Sequence, residues 1–418
     1  MILEYKSEHF KESYRTLRLE SGFELTHYRK PFSLQAAFLC IDYGSLHRSY
    51  RRQDGKEVVH PMGSAHFLEH KLFENASEDF SQKMAKLGVS VNAYTGYDRT
   101  CFYFFGGGHF EEALEHLLKL PVFPGFTQEG VEKEKSVIAR EIELYDDDID
   151  SLVYRQAVEA LYPGHPVAEE ILGSANSLLD ITYKSLLQIV KECYTPSRMQ
   201  LLLIGDFEEN ILERVAEKLP RPYRVKTTDV MTSFPEISSI ASGSIHMYKD
   251  ISLPGFSYLQ KLPLIEDGRE RTTQHLLWEM TLESLTGAGS HLFTQQYAKG
   301  HLMSLHSYTV DLPGASFLCI NGEGRDPEAF FEALSREMEK TRREGADPVD
   351  MERLKRRRIG ERLRAFDQYA ELSFHFFDQR RNGFSLFEEA ELLFDLPLAE
   401  GRLPGGDWVY SVVSKECK

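Results

Sequence analysis

An internal repeat constrains the fold of this chain more than any other feature of its sequence. Residues 80–86 (Phe-Ser-Gln-Lys-Met-Ala-Lys) match residues 293–299 (Phe-Thr-Gln-Gln-Tyr-Ala-Lys) at Phe, Gln, Ala and Lys, a shift of 213 positions in a chain of 418. Each copy comes after a predicted strand and helix, and each is followed by a glycine, a strand pair and a further helix. The pattern therefore predicts a duplicated α+β architecture with two halves of about 200 residues each.

The junction between the two halves is predicted from a change in composition. After Pro-Arg-Pro-Tyr at 220–223, the chain is rich in Ser, Thr, Gly and Ile and shows no sustained hydrophobic period. We therefore predict a first domain at 1–222, a linker at 223–246 and a second domain at 247–418.

The charge and cysteine content narrow the class of protein. The chain carries 49 basic and 65 acidic side chains, a net charge of −16, which disfavours nucleic acid and anionic membranes as partners. No apolar stretch approaches the 18 residues of a transmembrane helix, and the N-terminal residues do not resemble a signal peptide. The five cysteines are scattered and lack C-x-x-C spacing. We expect a cytoplasmic protein.

The segment His66-Phe67-Leu68-Glu69-His70 carries the strongest chemical signal. On a helix, His66 and His70 lie four positions apart on one face, where two imidazoles can hold one Zn²⁺. Glu69 lies beside them and can take a proton from a water, as a metallohydrolase requires. The alternative is a surface helix that carries two histidines by chance. A third metal ligand elsewhere in the chain would argue against this alternative.

A catalytic zinc needs a third protein ligand, and the helix-like segment 131–143 offers acidic candidates. Glu134 and Glu141 are seven positions apart, so they share a face, and one could bind the metal while the other orients a histidine. Periodicity alone does not choose among Glu132, Glu134, Glu141 and Glu143, and acidic helices are usually only solvated faces.

The metal motif and several later segments together resemble the signature of the pitrilysin/insulinase family of inverted-zincin metallopeptidases. The segments that carry the resemblance are Gly63–Glu74, Asn92-Ala93-Tyr94-Thr95, Arg99-Thr100, Glu134 with Arg140-Glu141, His165-Pro166 and Leu203-Ile204-Gly205-Asp206-Phe207. The second half fits the family's duplicated copy without zinc. The resemblance implies two pseudo-repeated α/β-sandwich domains, each a mostly antiparallel sheet with helices packed on it, in a pitrilysin-like half-clamshell.

The resemblance also implies roles for individual residues. It makes His66, His70 and Glu141 the zinc ligands, Glu69 the general base and Glu134 a supporting residue of the site. The first domain is then the zinc-binding peptidase domain, and the second has no metal site.

The substrate mode implied by the resemblance involves Asn92 and Ala93. The strand that carries them resembles the sheet edge that pairs with a bound peptide as an extra strand. Without the resemblance, Asn92 would be interpreted as a turn or strand-end residue. The predicted function is that of a zinc endopeptidase acting on peptides or small unfolded polypeptides. The alternative is a non-catalytic subunit that binds peptides or serves as a scaffold.

The resemblance further predicts a partner. In the family, the second half supplies an arginine and, seven positions later, a tyrosine, which stabilise the oxyanion of the transition state. Here these positions fall on Tyr297 and Ser304, and no arginine occurs between Arg271 and Arg325. We therefore expect a paralogous subunit that supplies the Arg/Tyr pair in a heterodimer. Substitution of the pair by Lys299, His301 or Tyr308 is the alternative.

Overall fold

The structure is a computed structural model that describes residues 2–31, 33–73, 80–146, 148–235, 240 and 243–415. Residues 236–239 and 241–242 of the predicted linker, Glu74 of the metal motif and residues 416–418 lie outside the described residues. The strands are β1 Ile2–Ser7, β2 Glu12–Arg18, β3 Glu24–Arg29, β4 Gln35–Ile41, β5 Ser49–Arg51, β6 Glu57–Val59, β7 Ser90–Thr95, β8 Thr100–Gly106, β9 Met199–Gly205, β10 Gly243–Lys249, β11 Gly255–Lys261, β12 Ser304–Leu312, β13 Ala315–Glu323 and β14 Trp408–Lys415.

The α-helices alternate with these strands in both halves. They are α1 Ser64–Phe73, α2 Phe80–Lys86, α3 Phe110–Lys119, α4 Gln128–Asp146, α5 Ile149–Leu161, α6 Ala175–Asp180, α7 Tyr183–Cys193, α8 Ile211–Lys218, α9 Gly268–Thr286, α10 His291–Ala298, α11 Pro327–Glu344, α12 Pro348–Ala365, α13 Tyr369–Arg381 and α14 Leu386–Leu392. Within the described ranges, no helix has both the length and the apolar character needed to cross a membrane.

The chain divides into two compact units, each with its own sheet. The first unit comprises Met1–Glu143, Glu169–Ser233 and Tyr369–Phe377, and the second comprises Leu144–Ala168, Phe234–Gln368 and Asp378–Lys418. The sheet of the first unit has seven strands in the order β1-β2-β3-β9-β4-β8-β7. Neighbouring strands are antiparallel except β3 and β9, and β7 forms one edge of the sheet.

The sheet of the second unit repeats five consecutive strands of the first sheet, from β3 to the edge strand β7. Its order is β10-β14-β11-β13-β12, with β10 parallel to β14 and the other neighbours antiparallel. Each strand therefore has a counterpart in the series β3-β9-β4-β8-β7, with the same order and directions. The helix pair α1 and α2 likewise corresponds to α9 and α10. The predicted duplication and the α+β fold with mostly antiparallel sheets are confirmed.

The compact units differ from the predicted domain ranges in three places. Strand β10 begins inside the predicted linker, because it is an edge strand whose exposure alternates and which therefore has no continuous apolar run. Helix α5 belongs to the second unit, where Leu152 and Val153 pack with Val413. Residues 369–377 belong to the first unit, where the Phe376 ring meets Tyr14 edge-on at 5.7 Å. The last two differences come from contacts between distant segments, which local sequence patterns do not encode.

Candidate metal centre

Helix α1, which carries the histidine motif, is preceded by a glycine whose backbone conformation other residues rarely adopt. Gly63 has φ +83°, and a Cβ atom at this position would lie 2.4 Å from the carbonyl oxygen of Leu172. Phe67 and Leu68 are fully buried in the core of the first unit. With these two side chains packed inward, the helix presents the motif's polar residues beside helix α4.

The three predicted ligands come together between α1 and α4. Nε2 of His66 lies 3.8 Å from Oε1 of Glu141, and Nε2 of His70 lies 3.8 Å from Oε2 of Glu141. One donor atom from each residue falls within 4.8 Å of the others, and among the described residues no other group of this kind is found. Two donors that share one zinc at about 2.0–2.2 Å are at most about 4.4 Å apart. The two His–Glu separations therefore fit the ion, and two histidines with a glutamate are a known catalytic zinc set.

The structure also separates the acidic candidates that periodicity left open. Glu134 and Glu141 are half-buried on the side of α4 that faces the histidines, whereas Glu132 and Glu143 are exposed. Oε1 of Glu134 lies 3.0 Å from Nδ1 of His70 and accepts its hydrogen bond when that nitrogen is protonated. This hydrogen bond is the main cause that lowers the pKa of Glu134. Glu134 thus orients His70, leaving its Nε2 toward Glu141.

His66 has the protonation state that a metal ligand requires. The side chain is buried, with 8% exposure, and burial lowers the pKa of His66 to about 4. Its Nδ1 atom is buried without a hydrogen-bond partner in the part of the chain that the structure describes. The lowered pKa makes the imidazole neutral at pH 7, so one ring nitrogen has a lone pair for an ion, and Nε2 is the nitrogen that faces Glu141.

Glu69 lies next to the ligand cluster and is held by a residue of strand β7. The Thr95 hydroxyl donates a hydrogen bond to Oε2 of Glu69 at 2.6 Å. Burial is the largest influence on this carboxylate and raises the pKa of Glu69, which makes it a stronger base than an exposed glutamate. Sequence reasoning did not identify Thr95 as part of the site, although it is the last residue of the Asn-Ala-Tyr-Thr segment.

The predicted substrate-binding residues lie on the edge strand β7. Asn92 pairs with Tyr103 and Ala93 with Phe102 on strand β8, and β7 has no second neighbour among the described strands. Oδ1 of Asn92 accepts a hydrogen bond from the backbone N–H of Ala93 at 2.8 Å. A peptide that used this N–H would have to displace the Asn92 side chain.

The corresponding place in the second unit is filled by ion pairs. The positions equivalent to His66 and His70 at the shift of 213 are Glu279 and Glu283 of α9. Oε2 of Glu279 lies 3.2 Å from Nη1 of Arg358, and Glu283 forms an ion pair with Arg357. Guanidinium groups of α12 therefore neutralise these two carboxylates.

The positions predicted for the Arg/Tyr pair lie in the same unit. Tyr297 is in α10 with 54% exposure, and Ser304 begins strand β12. Neither residue is of the type found at its position in the family, which is arginine for the first and tyrosine for the second.

The duplicated fold and the cluster of two histidines and a glutamate define a metallopeptidase-like protein. Residues 30–175 match the insulinase family (peptidase family M16), and residues 180–358 match the inactive domain of peptidase family M16. The chain therefore belongs to peptidase family M16, and the predicted family is confirmed.

Individual relatives and a solved structure agree with this assignment. The uncharacterized zinc protease YmfH of Bacillus subtilis is 30% identical over 344 residues, which are 80% of this chain and 80% of the relative. The probable mitochondrial-processing peptidase subunit beta of Schizosaccharomyces pombe is 30% identical over 213 residues, 49% of this chain and 44% of that protein. The crystal structure of an M16-like peptidase from Alicyclobacillus acidocaldarius matches with a TM-score of 0.89 and 27% identity, covering 96% of this chain and 98% of that one.

Proposed function

We propose that this protein is a zinc-dependent endopeptidase. The observation that carries the proposal is the convergence of donor atoms from His66, His70 and Glu141 within 4.8 Å, with Glu69 adjacent to one ligand. Relatives in the same family that are named zinc proteases support zinc as the metal. In this proposal the three residues bind the ion and leave a fourth position for water and substrate.

The proposed chemistry assigns a separate task to each residue of the site. Zinc, when bound, supplies a Lewis acid that polarises the scissile carbonyl and lowers the pKa of a water molecule. Glu69 accepts the proton of the attacking water and returns it to the leaving amine. Thr95 fixes the direction of the Glu69 carboxylate, and Glu134 fixes the ring of His70.

The proposed substrate is a peptide or a small unfolded segment in an extended conformation. Strand β7 is an edge strand, and an extended peptide can pair with such an edge through main-chain hydrogen bonds. Asn92 and Ala93 are the residues that we propose to contact it. Main-chain pairing makes little use of substrate side chains, so low sequence specificity is expected.

We propose further that a paralogous subunit completes the site as a heterodimer. This proposal rests on Tyr297 and Ser304, which occupy the positions of the Arg/Tyr pair. The name of the S. pombe relative, a subunit beta, supports an assembly of more than one chain in this family. We also propose a cytoplasmic location, supported by the described cysteines, which are buried free thiols.

The experiment that tests the function is metal analysis combined with peptide hydrolysis. The purified chain is expected to bind one zinc per molecule and to cleave an unstructured, internally quenched peptide slowly. Its rate should rise when the paralogous subunit from the same genome is added. A chain that binds zinc but never cleaves, with or without that subunit, would instead support the non-catalytic peptide-binding alternative. Full activity without any partner would refute the heterodimer.

A further inference from the structure

Lys71, the residue directly after the second histidine of the motif, is buried beside the metal centre. Its exposure is 0%, although the residue is charged and lies near the end of α1. Its Nζ atom donates a hydrogen bond to the carbonyl oxygen of Gly130 at 3.0 Å and another to Oε2 of Glu134 at 3.4 Å. Lys71 therefore connects the helix that carries the histidines to the helix that carries the acidic residues.

The Glu134 carboxylate is consequently bound on both of its oxygens. Oε1 lies 3.0 Å from Nδ1 of His70, and Oε2 accepts from Nζ of Lys71. A carboxylate held at one oxygen can rotate, whereas one held at both has a defined plane. The tautomer of His70 and the direction of its Nε2 atom depend on that plane.

Burial of a lysine at this position is unfavourable for folding alone. An ammonium group taken out of water is strongly destabilised, and a buried ion pair is often no more stabilising than apolar side chains of similar volume. The cation also lies at the first turn of α4, where the helix dipole opposes a positive charge. Phe67, Leu68 and Leu72, which are near Lys71 in the sequence of α1, are apolar and buried, so a charged side chain is an exception among them. We therefore look for a role of the Lys71 ammonium group other than stabilising the fold.

We propose that Lys71 is a positioning residue of the metal centre, which holds Glu134 so that Nε2 of His70 is directed at the metal. This inference rests on the proposed zinc site and adds to it a residue with no ligand role of its own. Lys71 acts through Glu134 and His70, without contact with substrate or with the reacting atoms. It also electrostatically moderates how strongly Glu134 polarises the ring.

A double-mutant cycle with zinc affinity as its readout tests the inference. The full chain is prepared as wild type, Lys71→Met, Glu134→Ala and the double variant, and the zinc dissociation constant of each is measured by competition with a chelator. K71M alone is expected to raise the dissociation constant about tenfold, in the range found for residues that orient metal ligands. In the E134A background, K71M is expected to change it by less than about twofold.

Lys30→Met is the matched control. Lys30 is also a buried lysine of the first unit, with 4% exposure, and it pairs with Glu12 at 2.7 Å, but it has no contact with the described metal ligands. The zinc dissociation constant of the Lys30→Met protein is expected to equal that of the wild type. The visible spectrum of the Co²⁺-loaded protein gives a second readout, in which K71M should shift the d–d bands and K30M should not. If K71M does not fold, Lys71→Leu replaces it in the cycle.

The possible outcomes separate this inference from the proposed function. Wild-type protein that binds no zinc would refute the metal site and this inference with it. Wild-type protein that binds zinc, with K71M binding equally well, would refute the role of Lys71 alone. Equal losses from K71M in the wild-type and E134A backgrounds would show that Lys71 does not act through Glu134, which also overturns the inference.

Discussion

The Thr95 hydroxyl donates a 2.6 Å hydrogen bond to Oε2 of Glu69, so strand β7 holds the carboxylate that lies beside the three candidate metal ligands. Strand β7 is also the sheet edge proposed to bind the substrate. Thr95 and Asn92 are only three residues apart on this strand. One short strand therefore positions both the proposed base and the proposed peptide. The water that Glu69 would activate is thereby placed relative to the peptide bond to be cleaved.

Thr95→Val should reduce turnover while leaving zinc binding intact. Valine has nearly the same shape but donates no hydrogen bond, so Glu69 loses its fixed direction. We expect kcat to fall about ten- to a hundredfold, the scale of a misplaced catalytic group. Steady-state hydrolysis of a quenched peptide, together with zinc content, measures both effects. Thr95→Ser keeps the hydroxyl and is the control; an active T95V enzyme would contradict the role of this bond.

Glu69→Gln and His66→Ala should separate the base from the ligands. E69Q removes the proton acceptor but no ligand, so the protein should retain one zinc and lose turnover by at least about a hundredfold. H66A leaves two ligands, which hold zinc weakly, so both the metal and the activity should be lost. Elemental analysis of the two purified variants decides the assignment. Zinc-free E69Q protein would mean that Glu69 is a ligand.

Gly63→Ala should destabilise the protein and disturb the metal centre. The residue has φ +83°, and an added Cβ would lie 2.4 Å from a backbone oxygen, so the chain before α1 must shift. We expect a loss of at least about 2 kcal/mol in the free energy of unfolding, measured by urea denaturation.

Gly88→Ala is the control for this strain. Gly88 also has a positive φ of +72°, but nothing lies within 4 Å of its added Cβ. Only the cost of the backbone conformation, about 1 kcal/mol, is expected there. Equal effects of the two substitutions would show that the close approach to Leu172 is unimportant.

His165 should make the protein sensitive to mild acid. The side chain has 0% exposure, and the backbone N–H of Val167 donates to its Nδ1 at 3.0 Å, which requires the neutral ring. Burial lowers the pKa of His165 to about 4, whereas the unfolded-state value is about 6.5. The unfolded state therefore binds the proton more readily. The contribution of the neutral His165 ring to the free energy of unfolding is complete above about pH 6.5 and is lost as the pH falls toward 4.

The loss of stability in mild acid can be measured by comparison with His165→Asn. The asparagine oxygen can still accept the hydrogen bond from the backbone N–H of Val167 but does not titrate. Between pH 7.5 and 5.0, the free energy of unfolding should fall by about 2 kcal/mol more in the wild type than in H165N. Urea denaturation with a chelator present removes any contribution from metal binding. Parallel pH dependences in the two proteins would refute the assignment.

The sequence determines local patterns along the chain directly, whereas contacts between distant segments depend on the tertiary structure. The helix of the metal motif, the two-fold repetition and the family all follow from the sequence, because helical spacing and repeated segments are local. His66, Glu69 and His70 lie within five consecutive residues, so a short motif predicts that they share one helix. Their closeness to Glu141, about seventy residues away, was implied only by the resemblance.

Only the tertiary structure revealed the parts that Thr95 and Lys71 take in the site. Thr95 reaches Glu69 from an edge strand, and Lys71 reaches Glu134 from a buried position that reads as part of an apolar helix face. Helix α5 and residues 369–377 likewise join units that chain order does not indicate. These contacts depend on how helices and strands pack in three dimensions, and packing is determined by all elements at once. Local periodicity determined the elements and the motif; packing decided their partners.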